Sequence, residues 1–331
     1  MPGHGTMIPA VIALALAYGF LNSYKDSPSL AAVVIFSRAL NPRPALLLTA
    51  VSQFLAPVLF GIAVARTIGG GILRPDRIGP DVVVAALAGA LLWNLLTWYL
   101  GLPSSSSHGL VGGLVGAGLT GAGWTALQPA GLLQVLLSLL VSPALGLLGG
   151  YLAVRALLRV SQSATPAVND RFRRLQVPAL VALGLSHGTN DPPKTMGVIT
   201  LGLVAGGVLP GFDVPAWVVG LSMLVFCLGT SLAGWRVMRT LGARIFRVRP
   251  IHALASLLGG GAVILGCGLL GAPVSATHVM SSTILGVGAG DRINRVRWEV
   301  TQGILLAWLL TLPASAGLSA LAEVLLRRLT G

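Results

Sequence analysis

The side chains able to do chemistry in this 331-residue chain fall into two pairs of similar segments. One pair reads GLPSSSSHGLVGGLVGAG (101–118) and GAPVSATHVMSSTILGVGAG (271–290). At a spacing of 170, Gly101 and Gly271, Pro103 and Pro273, Ser105 and Ser275, His108 and His278, Gly116 and Gly286, and Gly118 and Gly288 coincide. The other pair, KDSPS (25–29) and NDPPK (190–194), superposes Asp26 on Asp191 at a spacing of 165. A helix that starts at each hydroxyl run presents backbone N–H groups without helical partners, and the positive end of its dipole, which together favour an anion. Ser105, Ser106 and Ser107, with Ser275 and Thr277, add hydroxyl donors suited to phosphate-like oxygens. Pro103 and Pro273 are expected to stop the incoming helix and leave its last carbonyls to face a cation. Plain helix capping accounts for one hydroxyl per segment, but poorly for three in a row.

Asp26 and Asp191 read as the only acidic residues deep within apolar sequence, where a charge costs about 2.5–3.5 kcal/mol even on the lenient insertion scale. Each lies beside helix-interrupting prolines, Pro28 in one case and Pro192 and Pro193 in the other. Unwound backbone with a carboxylate suits an alkali cation or a proton; capping of a broken helix, or an ion pair with Lys25 or Lys194, is the plainer role. Those two are the only lysines among 22 cationic residues, and both substrate contact and compensation of the neighbouring Asp are open to them. His108 and His278 follow the hydroxyl runs and His187 precedes Asn190, with proton carriage and hydrogen bonding at helix starts both open. No spacing supports a metal site. Gln53, Gln134 and Gln302 are expected to hydrogen-bond between helices, and the runs GGLVGAG and GVGAG to let helices approach closely. Cys227 and Cys267 read as packing residues. No Walker, Ser-His-Asp or Rossmann pattern is present, so neither an enzyme nor a cofactor is expected.

Holding these groups in place is the task of membrane helices. Hydrophobic residues make up 54% and charged residues 9%, against about 25% in an ordinary globular protein, and the mean hydropathy is +0.85. This excludes a disordered chain and argues against a water-soluble enzyme. The net charge of +13 suggests nucleic acid at first sight, but so apolar a chain offers no broad basic face. No cleavable signal peptide is expected, because Met1 to Thr6 lacks a basic region. Apolar stretches run near 7–40, 44–65, 82–102, 104–121, 129–158, 175–209, 215–235, 252–270, 274–289 and 298–326, against roughly 20 residues per crossing. Three of them, 7–40, 129–158 and 298–326, exceed one span and carry breakers at Asn22 to Ser29, Pro143 and Pro313, which predicts broken or steeply tilted helices.

The arginines predict orientation. Fifteen of the 20 fall at 38–43, 155–174, 236–249 and 292–297, and the positive-inside rule places these on the cytoplasmic side. Arg66, Arg74, Arg77, Arg327 and Arg328 then share the other side with Asp76, Asp81, Asp213 and Glu323. Residues 252–290 must enter and leave from one face as a re-entrant hairpin with its tip at 271–278. With 66–81 and 122–128 both external, 82–121 becomes a hairpin from the opposite face with its tip at 101–108. The predicted fold is therefore all-α and polytopic, with two inverted-topology repeats, 1–165 and 166–331, each with a broken first helix and a re-entrant helical hairpin.

With these motifs in order, the chain resembles the inorganic phosphate transporter family of the bacterial type. Four segments carry the resemblance: GFLNSYKDSPSLAAVVIFSRALNP (19–42), GLPSSSSHGLVGG (101–113), LSHGTNDPPKTMGVITL (185–201) and GAPVSATHVMSS (271–282). A fifth, GTSLAGWRVMRTLG (229–242), is similar to the stretch that follows in bacterial members. The resemblance implies secondary uptake of inorganic phosphate with sodium or protons by alternating access, in the plasma (inner) membrane amid lipid, with homodimers common. Carried over residue by residue, it assigns substrate contact to Ser105, Ser106, Ser107, Ser275, Thr277, Asp26, Asn190, Asp191 and Lys194, and coupling-ion contact to Asp26, Asp191, Asn22 and Ser29. Lys25, His108 and His278 are further candidates. The family usually has Asn where Ser29 stands, His or Asn at Lys25, Ala at Pro28 and Thr at Ala276. Sulfate permeases of the same fold keep sulfate or another oxyanion as the alternative substrate. A carboxylate at the anion site leans towards phosphate, which retains a proton to donate to it.

Overall fold

The computed structural model describes residues 4–102, 104–165, 167–233, 249–292 and 298–330, without the side chains of 4–6, 292, 298–304 and 330. Within the described residues the chain forms thirteen α-helices: α1 His4–Asp26, α2 Pro28–Phe36, α3 Pro42–Phe60, α4 Ala63–Gly71, α5 Pro80–Tyr99, α6 Ser106–Ala122, α7 Pro129–Val160, α8 Val168–Gly188, α9 Asp191–Ala205, α10 Ala216–Ser231, α11 Pro250–Leu269, α12 Ala276–Arg292 and α13 Trp298–Thr330. Proline sits in the first turn of α2, α3, α5, α7, α9 and α11, where its missing N–H has no helical partner to lose. Six stretches, Met7–Phe36, Pro42–Phe60, Pro80–Tyr99, Pro129–Val160, Pro250–Leu269 and Leu305–Leu329, are long and apolar enough to cross a membrane. Leucines of α7 (Leu137, Leu140, Leu148) and α13 (Leu306, Leu309, Leu321) are exposed on the outside of the bundle, an apolar surface of the kind that faces lipid.

Contacts sort the elements into two ends. At one, Ser37 Oγ donates to Gln176 Oε1 at 2.5 Å, Gln176 Nε2 to the Pro250 carbonyl at 3.1 Å, and Arg249 to Asp291 at 2.8 Å. This end gathers the C-terminus of α2, the start of α8, and both feet of the α11–α12 pair. At the other, Arg74 N–H donates to the Ala126 carbonyl at 2.8 Å, Gln128 N–H to that of Ile72 at 3.0 Å, and the Arg327 side chain to that of Gly121. An added Cβ on Gly206 would lie 2.4 Å from Ile8, so the start of α1 and the end of α9 meet near this end too. Hence the α5–α6 hairpin and the α11–α12 hairpin approach from opposite ends. Their tips touch: Ser107 Oγ donates to the Val274 carbonyl at 3.2 Å, and the rings of His108 and His278 lie 4.6 Å apart. The hairpin and long helices have equal or nearly equal lengths, 20 residues each for α5 and α11, 17 each for α6 and α12, and 32 and 33 for α7 and α13, whereas α2 and α9, after the two breaks, differ at 9 and 15.

Each hairpin packs on the long helix from the other half of the chain, α6 on α13 and α12 on α7. Glycines set the distance. A Cβ on Gly112 would lie 2.4 Å from the Leu312 carbonyl oxygen, and one on Gly116 2.1 Å from that of Ala316. On the other contact, a Cβ on Gly286 would lie 2.0 Å from the Leu147 oxygen and one on Gly150 2.1 Å from that of Thr283. Gly112/Gly116, Gly146/Gly150 and Gly286/Gly290 are small-xxx-small pairs, which let helix backbones approach where lipid supplies no hydrophobic drive.

The structure corrects four expectations. Pro143 and Pro313 do not break α7 and α13, which run unbroken for 32 and 33 residues. At about 1.5 Å per residue these approach 50 Å, longer than the hydrocarbon is thick, which leaves length for tilt or for ends that reach beyond it. At Pro143 the carbonyl that loses its helical donor, Leu139, accepts instead from Ser142 Oγ at 3.2 Å. Pro273 does not stop α11. Its end is made by Gly271 at φ +67, with Gly271 N–H donating to Gly268 and Ala272 N–H to Cys267, a Schellman cap. Gly101, at φ +68, ends α5 in the same way on Trp98 and Thr97, so these carbonyls are occupied and not left for a cation; Pro103 lies outside the described residues. Residues 66–71 belong to helix α4, packed on α9, and not to an external loop. Glu323 is a third buried carboxylate, fully inside α13, with its Oε1 accepting from Arg327 at 2.8 Å.

A side chain at Gly116 or Gly286 must push a helix backbone aside, whereas Gly266 and Gly317 face open space. Gly116→Val and Gly286→Val are each expected to lower thermal stability in detergent by about 1–3 kcal/mol or more, with Gly266→Val and Gly317→Val near neutral. Melting followed by size-exclusion chromatography checks this.

Candidate functional site

Four helix N-termini converge where the tips meet. α2 and α9 begin just after the breaks at Ser27 and Asn190, and α6 and α12 begin at the hairpin tips. Side-chain bonds tie the four together. Ser106 Oγ donates to Asp26 Oδ2 at 2.5 Å, joining the α6 start to the α1–α2 break. Asn190 Nδ2 donates to the Ala272 carbonyl at 3.1 Å and its Oδ1 accepts from Val274 N–H at 3.1 Å, so the amide grips the second tip as a backbone strand would. The starts of α6 and α12 bring partial positive charge to one region, which favours an anion, whereas at Ser27 and Asn190 the end of one helix adjoins the start of the next and the two dipole ends largely offset.

Lys194, on the first turn of α9, is the centre of this network. Its Nζ donates to Asp191, to Ser107 Oγ at 2.7 Å and to the Val274 carbonyl at 2.6 Å, so one ammonium reaches both tips. The other oxygen of Asp191 lies 2.9 Å from His187 Nε2. Gln53 Nε2, 3.0 Å from His187 Nδ1, is an amide donor, which assigns the ring proton to Nε2. Gln53 also donates to Ser27 Oγ at 3.1 Å, and Thr230 Oγ1 donates to Gln53 Oε1 at 2.7 Å, carrying the network on to α10. Lys25 turns the other way, donating to Ser104 Oγ at 2.7 Å and Asn94 Oδ1 at 3.0 Å within the first hairpin. Asp26, Asp191, Lys25 and Lys194 are at most 4% exposed.

The structure brings the sequence candidates together and divides their roles. Ser105 caps α6, accepting from His108 N–H at 3.2 Å, and Ser275 accepts from His278 N–H at 3.3 Å. Capping therefore explains one hydroxyl per tip, and Ser106 and Ser107 are the pair engaged with Asp26 and Lys194. A direct ion pair with a neighbouring Asp is made by Lys194, whereas Lys25 gives its hydrogen bonds to neutral oxygens. Ser29 Oγ donates to the Asp26 carbonyl at 2.6 Å. His278 is stacked on Trp308 at 3.8 Å as well as beside His108. Among the described residues, Asp26 Oδ1, both amide atoms of Asn22, Thr195 Oγ1, Thr277 Oγ1 and Ser281 Oγ are buried without a hydrogen-bond partner. The oxygens are of the kind that ligate an alkali cation, and the Asn22 nitrogen and the hydroxyls are donors that suit an oxyanion. Cys227 and Cys267 are free.

Sequence reasoning missed Tyr18, whose hydroxyl donates to the Ser106 carbonyl at 2.9 Å, and Ser104, Asn94 and Thr97 around Lys25. It also assigned Gln53 only to packing. Polar residues inside apolar spans were the available signal, but nothing in the sequence pairs Gln53 with His187. Gln134 is exposed and the side chain of Gln302 lies outside the described residues.

The buried Lys194–Asp191 pair gives a stability test. Lys194→Met leaves Asp191 without its ammonium and is expected to cost about 3–5 kcal/mol. Lys194→Met combined with Asp191→Asn is expected to recover part of that loss, as read by thermal unfolding in a double-mutant cycle.

The comparisons accord with this geometry. The sequence profile described as "Phosphate transporter family" matches residues 22–167 and 159–319. A "probable low-affinity inorganic phosphate transporter" of Rhizobium meliloti is 40% identical over 317 residues, covering 95% of each chain. One of the same description from Bacillus subtilis is 37% identical over 320 residues, covering 96% of each. A solved structure described as "The sodium-dependent phosphate transporter" superposes with a TM-score of 0.87 over 98% of this chain and 99% of its own, at 24% identity, which establishes a common fold. The chain is a multi-pass membrane protein that belongs to the phosphate transporter family.

Proposed function

We propose that the chain moves inorganic phosphate across the plasma membrane together with a cation, sodium or a proton, by exposing the tip cluster alternately to the two sides. The observation that carries this reading is the Asp26 carboxylate. One of its oxygens is bound to Ser106 in the first tip, and the other is buried without a partner. Such an oxygen calls for a donor or a cation. Phosphate at neutral pH keeps at least one proton and is both an anion for the helix starts at the two tips and a donor for a carboxylate. Sulfate has no proton to offer. Ser106, Ser107, Thr277, Asn190, Asp191 and Lys194 are the other proposed phosphate contacts, with Ser105 and Ser275 holding the tips that present them. Asp26, Asp191, Asn22 and Ser29 are proposed for the coupling ion. The relatives' names support phosphate, and the structural relative's name supports sodium.

The same reading makes 1–165 and 166–331 inverted copies of one unit. Matched element lengths, matched Schellman caps and the swapped helix packing support this. The arginine-rich end, with Arg38, Arg43, Arg155, Arg159, Arg171, Arg173 and Arg174 near it, is proposed as the cytoplasmic one.

Reconstituted protein is expected to accumulate labelled phosphate under an inward sodium or proton gradient imposed separately, and Asp26→Asn and Asp191→Asn each to lower that uptake at least about tenfold. Sulfate uptake with no phosphate uptake under any gradient would replace the substrate. Full gradient-driven uptake by Asp191→Asn would remove it from the site.

A further inference from the structure

The two buried ammonium groups are held in chemically different ways. Lys194 faces a carboxylate. Lys25, 2% exposed, is bonded to three neutral oxygens: Ser104 Oγ at 2.7 Å, Asn94 Oδ1 at 3.0 Å and Thr97 Oγ1 at 3.4 Å. Ser104 Oγ also donates to Thr97 Oγ1 at 2.7 Å, which keeps its own lone pairs turned towards the ammonium. The adjacent Asp26 spends its bonded oxygen on Ser106. All three ligands belong to the first hairpin, two from the last turns of α5 and one from the tip, and each is at most 1% exposed.

Neutral amide and hydroxyl oxygens converging on one buried positive charge are how proteins hold a small monovalent cation without a counter-charge. Desolvating an ammonium costs several kcal/mol, and neutral ligands return less of it than a carboxylate does. The positive charge must therefore serve the charge balance of the whole cluster. Counted as formal charges, Asp26 and Asp191 bring two negative ones and Lys25 and Lys194 two positive ones, which sum to zero.

We infer that Asn94, Thr97 and Ser104 form a monovalent-cation site in the first hairpin which the Lys25 ammonium fills permanently, the tethered charge standing in for one mobile ion. The second half of this statement rests on the proposed phosphate–cation transport; the existence of the site does not. Lys25 is accordingly a positioning and stoichiometry-setting residue. Removing its charge leaves the cluster one positive charge short, and the shortfall is met by an additional bound cation.

Two variants that empty the site test this. Lys25→Gln and Lys25→Ala each remove the ammonium and leave Asn94, Thr97 and Ser104 in place. Purified full-length protein is melted in sodium chloride and in choline chloride of equal ionic strength, without phosphate. Each variant is expected to gain a sodium-dependent rise in melting temperature beyond that of the parent chain, as a ligand bound only by the folded state produces, and Lys25→Ala combined with Asn94→Leu to lose that gain. In proteoliposomes, the Hill slope of phosphate uptake against the coupling cation is expected to rise in Lys25→Gln, from one extra bound ion. A Lys25 variant that folds only when sodium is present supports the inference equally. Parent-like sodium dependence in either folded Lys25 variant, or failure of both to fold in either salt, overturns the inference. If the parent chain moves no phosphate, the proposed transport falls, while the melting comparison still decides whether the cation site exists.

Discussion

The Lys194 ammonium bonds to the first tip, the second tip and the α8–α9 break. It is fully buried and bonded at once to Asp191, to Ser107 of the first hairpin and to the Val274 carbonyl of the second. A buried charge tolerates no loss of partners, because each missing bond exposes part of its desolvation cost. Neither hairpin is therefore free to withdraw unless something else takes over its bond to Lys194. An oxyanion is a natural substitute, since it offers several acceptor oxygens to an ammonium that would otherwise need both tips. The same contact that closes the cluster thus makes its rearrangement depend on what it binds.

Around this point the protein balances formal charges against oriented dipoles. Two carboxylates and two lysines are formally equal in charge, and the starts of α6 and α12 add fixed dipoles and hydroxyls on top of them. Dipoles fixed in the backbone need no counter-ions and do not collapse onto one another, whereas free cationic side chains would repel. The breaks at Ser27 and Asn190 place Asp26 and Asp191 at helix junctions beside these tips.

Much of this was legible in the sequence. The hairpin tips, the breaks at Asp26 and Asp191, and the ends joined by Arg249 with Asp291 and by Arg74 with Ala126 all follow from motif spacing and arginine placement. The failures have physical reasons. Proline was read as a stop, but Gly271 ends α11, because a left-handed residue captures the last carbonyls where proline merely declines to continue. Pro143 was read as a break, but one serine hydroxyl repairs the lost bond inside an otherwise apolar helix. Lys25 was grouped with its neighbour Asp26, although successive helical residues point about 100° apart and these two address different partners. The pairing of Gln53 with His187 depends on α3 lying beside α8, which no local pattern encodes.

The exchange of long helices between the halves also bears on how the chain is made. Gly112 on α6 packs on Leu312, a residue synthesised 200 positions later. Until the last helix emerges, the glycine face of the first hairpin has no partner of its own, and its close-approach surface is open to lipid or to another chain. The second hairpin meets no such delay, because α7 precedes it. The packing of the first hairpin is thus completed only when α13 arrives, about 200 residues after α6 has been made.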